Sequence, residues 1–410
     1  MKVLLLNQFY LPDLSASARI AADLAEDLAA AGHEVTAVAS RGSYLGGGRL
    51  PRRERHRGVE IVRLPATSLG KGTLVRRALD YGTFQAAAAL ALARLPRQDV
   101  VVALTTPPLA GAAALPVRAL RGSRLVSWVQ DLYPEVAVAM GVLAPGSAAA
   151  RAMAAVSRAL LARSDRVVAL GEAMRERCLA AGAAPERTVV LPNWADPAEI
   201  RPVPHAENPL RAELAAGAET LVLYSGNMGR AHDLATPLAA ARLLRDRPGM
   251  TFLFVGDGAR RGEVERAARE LPNVRLSPYR PREALAASLS AGDLHLVTLA
   301  PELEGLVEPS KAYAAMAAGR PAVYVGPAGS EVARTLSVEG CGVAIANGDA
   351  AGLARALADL AGDPARRAEM GSRGRRATEE RLGRAAATAR FRALLEDLAP
   401  PSGAARLRPA

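Results

Sequence analysis

The chain has 410 residues, half of them apolar and 23% charged, which excludes a disordered polymer and exceeds one ordinary core, so two domains of roughly 200 residues are expected. Its net charge of +11 rests on arginine, with lysine only at positions 2, 71 and 311 among 52 basic residues. Cys178 and Cys341 match no metal spacing and read as reduced core thiols of a cytosolic protein, and no apolar run reaches the roughly 18 residues that span a bilayer.

In chain order, VLLLN (3–7) reads as a first strand; the N-terminus lacks the small-residue cleavage site of a signal peptide. A helix is predicted over about 16–31, ended by Gly32. EVTAVAS (34–40), VEIVRL (59–64), DVVVAL (99–104), RLVSWV (124–129), RVVAL (166–170) and TVVLP (188–192) are short apolar runs suited to buried parallel strands. NWADPAEIRPVPHAENP (193–209) breaks the rhythm and reads as an interdomain linker. The cycle restarts with TLVLYSG (220–226), MTFLFVG (250–256), VRLSPY (274–279), DLHLVTL (293–299), PAVYVG (321–326) and GVAIA (342–346). Alternating strands and helices predict an α/β protein with two doubly wound, Rossmann-like domains facing across a cleft. The expected divisions are 1–195, 196–380, a final helix over 381–398 that packs back on the first domain, and a loose tail, 399–410.

Residues 41–77 carry ten basic residues against Glu54 and Glu60, a net of +8. The block lacks the interleaved aromatics that stack bases, so nucleic acid is not an expected partner. The apolar helix that follows, TLVRRALDYGTFQAAAALALARL, has basic residues at its head. It suits either an anionic membrane surface or a core helix with an arginine cap.

Three strand–loop–helix junctions in the second half point to a phosphate-bearing ligand. In YSGNMGRAHDL (224–234) the loop through Gly226 and Asn227 offers backbone amides, and Arg230 a forked cation. In FLFVGDGARRGEVE (252–265), Gly256 and Gly258 permit a tight turn, and Asp257 either caps the helix or accepts a ligand hydroxyl. In PELEGLVEPSKAYAAMAAGRPAV (301–323), Pro309 and Ser310 start a helix, Lys311 adds a cation, and Glu302 and Glu304 are acceptors for sugar or ribose hydroxyls. The first half repeats this plan in NQFYLPDLSASARIAADL (7–24), where Asn7 ends the strand, Ser17 leaves room for a ligand and Arg19 lies one turn inside. SWVQDLYPE (127–135) puts Gln130 and Asp131 at a strand end, where Asp131 is either a catalytic polar group pointing into the cleft or a buried helix cap. No HExxH, cysteine cluster or metal-spaced aspartate pair appears, so no metal or cofactor is expected.

These stretches, in this order, make the chain similar to the retaining glycosyltransferases of family 4, of the GT-B fold, over nearly its whole length. It looks most like the branch of bacterial cell-surface polysaccharide and lipid-linked glycan enzymes, the colanic-acid and O-antigen fucosaminyltransferase-like group. The matching pieces are NQFYLPDLSASAR, LAAAGHEVTAVAS, QDLYPE, VVLPNWAD, LYSGNMGRAHDL, FVGDGARRGEVE and GLVEPSKAYAAMAAGRPAVYVG. The resemblance implies a nucleoside-diphosphate-sugar donor held by the second domain, an acceptor held by the first, and front-face attack without an essential metal. It implies diphosphate contacts at Arg230 and Lys311, the Gly-Asp-Gly turn at Asp257, and Tyr279 near the base. Gly305, Leu306 and Val307 match the donor loop.

Two features depart from the family pattern. Glu302 takes the first place of its paired glutamates, but Ser310, or Ala314 when aligned on the helix end, takes the second. Glu304 and Glu308 are the candidates to substitute. The arginine–lysine pair after the first glycine loop is incomplete, which leaves Lys311 as the other available cation. The reading is a peripheral-membrane glycosyltransferase at the cytoplasmic face, acting on a polyprenyl-linked or cell-envelope glycan. The alternatives are a nucleotide-sugar 2-epimerase of the same fold and a non-catalytic nucleotide-sugar-binding subunit. Sugar, base, acceptor and oligomeric state are left open.

Overall fold

Apolar side chains on both faces explain the first strand. β1 (Lys2–Leu6) leaves Val3, Leu4, Leu5 and Leu6 at most 1% exposed, as a strand covered by helices on both sides requires. Around it lie β2 (Glu34–Ser40), β3 (Arg53–His56), β4 (Val59–Leu64), β5 (Val100–Ala103), β6 (Arg124–Trp128), β7 (Arg166–Ala169) and β8 (Thr188–Val190). Their order is β3-β4-β2-β1-β5-β6-β7-β8. Every pair is parallel except β3 with β4. β3 was not anticipated: its sequence, RERH, is charged and fully exposed at the sheet edge, so no apolar pattern marks it.

The computed structural model describes residues 1–13, 15–42, 49–69 and 73–398. The predicted tail at 399–410 lies outside the described residues, as do 43–48 and 70–72 of the basic block, Lys71 included. One unit contains this first sheet, with Met1–Leu170, Arg175–Leu191 and the chain from Thr388 on; the other contains Gly171–Met174 and Pro192–Ala387. The last helix, Arg384–Leu398, supplies Phe391 to the first unit, where its ring centroid lies 4.7 Å from that of Trp128. Thr388 donates to Asp27 at 2.8 Å nearby.

The second unit has β9 (Thr220–Ser225), β10 (Met250–Val255), β11 (Val274–Ser277), β12 (Leu294–Thr298), β13 (Ala322–Val325) and β14 (Gly342–Ile345), all parallel, in the order β11-β10-β9-β12-β13-β14. Tyr224, Phe252, Phe254 and Tyr324 are fully buried in it. The expected linker, 193–209, is not a free tether. Arg375 donates to the carbonyls of Pro197 (3.0 Å), Ile200 (2.7 Å) and Ala317 (2.7 Å) and fastens it to this unit. Strand order reverses between β9 and β12, the place in an open parallel sheet where ligands usually bind at the C-terminal edge.

Candidate donor site

Two glycine loops meet at that edge of the sheet. Gly226 ends β9 with φ +133° and Gly256 ends β10 with φ +141°, both left-handed conformations that side chains resist. A Cβ on Gly256 would overlap the Gly226 carbonyl, and one on Gly226 would lie 2.7 Å from Lys311 Cε. Gly258 rests against Met228 in the same stack, where a Cβ would come 2.5 Å from the Met228 carbonyl oxygen. The amides of Gly226, Gly256 and Met228 donate to Val255 (2.8 Å), Ser277 (2.9 Å) and Asp257 (2.7 Å) carbonyls, so they bind the loops together and are unavailable to a ligand. The amides of Asn227, Gly229 and Arg230 have no acceptor among the described residues. Only part of the expected cradle is therefore open.

Lys311 opens the helix Lys311–Ala317 and reaches back over Gly226. Its Nζ is 2.8 Å from His232 Nε2, 3.5 Å from the Asn227 carbonyl and 5.0 Å from the Tyr224 ring centroid. His232 Nδ1 lies 2.7 Å from the Thr298 carbonyl. A carbonyl only accepts, so Nδ1 carries the ring proton, Nε2 is bare, and the ammonium donates to it. Burial, then the Lys311 charge, pushes His232 down to about 3, so the ring is neutral at physiological pH. Burial alone lowers Lys311 to about 7. Lys311 pairs with no carboxylate among the described residues, and Arg230, exposed on the loop, has no ion pair either. The Lys311 ammonium thus lies at a loop with three free amides and no anion among the described residues, and Arg230 belongs to the same loop.

The remaining predicted residues divide. Tyr279 is 48% exposed, and its ring stands beside Gly256. Glu302 is exposed, and Glu304 packs over Gly329. Leu306 is buried and Val307 half-buried in the turn whose Gly305 has φ +71°. Glu308 is buried: its Oε1 accepts from the Glu331 amide at 3.2 Å, its Oε2 has no partner, and burial lifts its carboxyl to about 7. Two helix-start expectations fail. Asp257 accepts from the Gly258 amide at 2.8 Å and does not cap the helix Arg261–Glu270, whose N-cap is Arg260. Pro309 lies before the helix Lys311–Ala317, and the hydroxyl of Ser310, at the N-cap, makes no capping bond because its backbone is already helical.

In the first unit Asn7 and Ser17 do meet, with Asn7 Nδ2 3.4 Å from Ser17 Oγ and 2.8 Å from the Phe9 carbonyl. Asn7 Oδ1 and Gln8 Oε1 are buried without partners at this strand end. Arg19 is half-buried one turn along. Asp131 is no helix cap. It borders a small apolar cavity with Leu104, Val129, Leu132 and Tyr133, and burial raises its carboxyl to about 6. Its amide donates to Thr105 Oγ1 at 3.1 Å.

Sequence reasoning left out His232 and Thr298 as working residues. The one available signal was a histidine two residues after Arg230 in a glycine loop.

Comparison with known proteins agrees with this geometry. A glycosyl transferase 4-like domain model matches residues 15–194, and a glycosyl transferases group 1 model matches 219–363, the half that holds the glycine loops and Lys311. WbjE of Pseudomonas aeruginosa, named as a glycosyltransferase, is 32% identical over 270 residues, covering 65% of this chain and 67% of that one. The chain belongs to the family 4 glycosyltransferases. A second relative of this glycosyltransferase is WcaI of Escherichia coli (strain K12), named as a colanic acid biosynthesis glycosyl transferase. The two are 29% identical over 347 residues, 81% of this chain and 85% of WcaI. Among solved structures, sucrose-phosphate synthase from Thermosynechococcus elongatus superposes with TM-score 0.77 at 19% identity, covering 97% of this chain and 99% of that one. Anabaena HepE, solved in complex with UDP, superposes with TM-score 0.72 at 17% identity, covering 97% and 100%. Both neighbours establish the GT-B fold of the glycosyltransferase.

Proposed function

We propose that this glycosyltransferase moves a sugar, with retention, from a nucleoside diphosphate to a lipid-linked or cell-envelope glycan. One observation carries the donor assignment: Lys311, partnered only by a neutral imidazole, a carbonyl and an aromatic face, lacks a counter-ion beside three free amides. A buried cation without an anion costs free energy, and a diphosphate would supply the missing charge. As the sugar departs, charge grows on the diphosphate, and Lys311 with Arg230 would stabilise it without a metal. Tyr279 would face the base, and Glu302 or Glu304 the hydroxyls of sugar or ribose. Asn7, Ser17, Arg19 and Asp131 would serve the acceptor. The UDP in HepE supports the donor class, and the name of WcaI, a colanic acid biosynthesis glycosyl transferase, supports a polysaccharide product. The test is incubation with UDP-, GDP- and dTDP-sugars and a polyprenyl-phosphate-linked acceptor. The reading expects release of nucleoside diphosphate and a product that keeps the donor's anomeric configuration. An inverted product would overturn retention, and no release from any donor would overturn the donor class.

The same reading places the enzyme on the inner face of the cell membrane. No helix among the described residues is long and apolar enough to cross a bilayer. The first unit nonetheless exposes Leu69 (47%), Val75 (69%) and Leu79 (51%), with exposed Arg76 on the same helix as the last two, and it also exposes Arg52, Arg53, Arg55 and Arg57. Apolar side chains among arginines suit an anionic headgroup layer, at about 1 kcal/mol per basic residue near the surface. Reversal of Arg52, Arg53 and Arg55 to glutamate should release the protein from vesicles containing anionic lipid in a sedimentation assay. Unchanged sedimentation would remove the membrane assignment.

A further inference from the structure

We propose that His232 is a positioning residue for the donor: its bare Nε2 holds the Lys311 ammonium in register with the free amides of the 226–230 loop. The inference rests on the donor reading above and adds a residue that the family motifs did not supply.

The geometry specifies this role in three ways. The residue is fixed at its ring and at its backbone. Nδ1–H donates to the Thr298 carbonyl at 2.7 Å, and the His232 carbonyl accepts from Arg260, itself held by Glu263 at 2.8 and 2.9 Å. Tyr224 meets the ring edge-on at 6.0 Å between centroids. His232 follows β9 and Thr298 ends β12, so the contact joins the two loops where strand order reverses.

The acceptor is also neutral. A carboxylate at this place would orient the lysine equally well but would cancel its charge and compete with a phosphate. An imidazole kept unprotonated orients the ammonium without neutralising it. Finally, a lysine side chain loses up to about 2 kcal/mol of rotamer freedom when fixed. Ordering it before the donor arrives removes that cost from binding. The absent Cβ of Gly226 leaves the space through which Lys311 Cε passes.

Three variants and one spectrum test the assignment. In His232→Gln the amide can still donate to Thr298 and accept from Lys311; in His232→Leu neither bond is possible. With whichever of UDP, GDP or dTDP binds the wild type, His232→Leu should raise Kd roughly tenfold, the scale of one hydrogen bond to a charged group. His232→Gln should stay within about threefold, because it restores that bond. In a Lys311→Met background, His232→Leu should add nothing, since the lysine it positions is gone. Equal losses from His232→Leu in both backgrounds, or a folded His232→Gln as weak as His232→Leu, would overturn the role. Should the variants misfold, nitrogen NMR of the wild-type imidazole, assigned to His232, decides at neutral pH. An Nδ1–H tautomer is expected, and an Nε2–H or doubly protonated ring overturns the proposal. Failure of all three nucleotides to bind the wild type would instead overturn the donor reading, and the positioning role with it.

Discussion

Lys311→Ala should lower kcat/KM for sugar transfer by roughly 10²–10³-fold, the loss found when one preorganised donor to a developing anion is removed. The fold should survive. Lys311 is half-buried over the glycine stack, and its partners, His232, the Asn227 carbonyl and Tyr224, are each held by other bonds. Its stability effect has a definite sign. Folding lowers this lysine from 10.5 to about 7, so between those values the unfolded chain binds the extra proton. Stability therefore rises with pH across that window, and the cost of the buried cation is full at and below its lower edge. Removing the ammonium should leave Tm at pH 7 unchanged or higher while activity collapses. A large fall in Tm with the activity would assign Lys311 a structural role instead.

Gly256→Ala should damage binding and stability together. The new Cβ would overlap the Gly226 carbonyl, and φ of +141° is closed to alanine without strain of order 1–3 kcal/mol. To relieve the overlap the 226–230 loop must move, and Lys311 moves with it because its Cε runs past Gly226. Nucleotide affinity should fall at least as far as in Lys311→Ala, with Tm lower by several degrees. Gly262→Ala is the internal control. It lies in the helix Arg261–Glu270 with nothing within 4 Å of the added carbon, and alanine there should stabilise by about 0.5–1 kcal/mol. The loop-stacking account fails if both alanines behave alike.

Most parallel strands were legible because both of their faces are buried, which writes a short apolar run into the chain; VEIVRL and EVTAVAS match β4 and β2 residue for residue. β3 left no such mark, since a charged edge strand looks like a loop. At the site, the rarity of lysine singled out Lys311 and the glycine spacing located the two loops. What Lys311 touches was not legible. His232 is 79 positions away, and its tautomer is set by the backbone carbonyl of Thr298, a group every residue has. Nor could spacing show that Gly226, Gly256 and Met228 spend their amides on the carbonyls of Val255, Ser277 and Asp257, or that Glu308 turns inward while Glu302 stays exposed. Those outcomes depend on which loops become neighbours where strand order reverses. Asp257 shows the limit from the other side: Gly-Asp-Gly before a helix reads as a cap, yet the carboxylate closes on the next amide and the helix begins later.

The central claim is that Lys311 and the stacked glycine loops hold the donor's diphosphate. The most direct test titrates UDP, GDP and dTDP into wild type and Lys311→Ala and reads Tm, because a ligand that binds only the folded state stabilises it by RT ln(1 + L/Kd) at free ligand concentration L. At least one nucleotide should stabilise the wild type, and Lys311→Ala should need on the order of 100-fold more of it for the same shift. Equal shifts in both proteins, or none in the wild type, would contradict the claim.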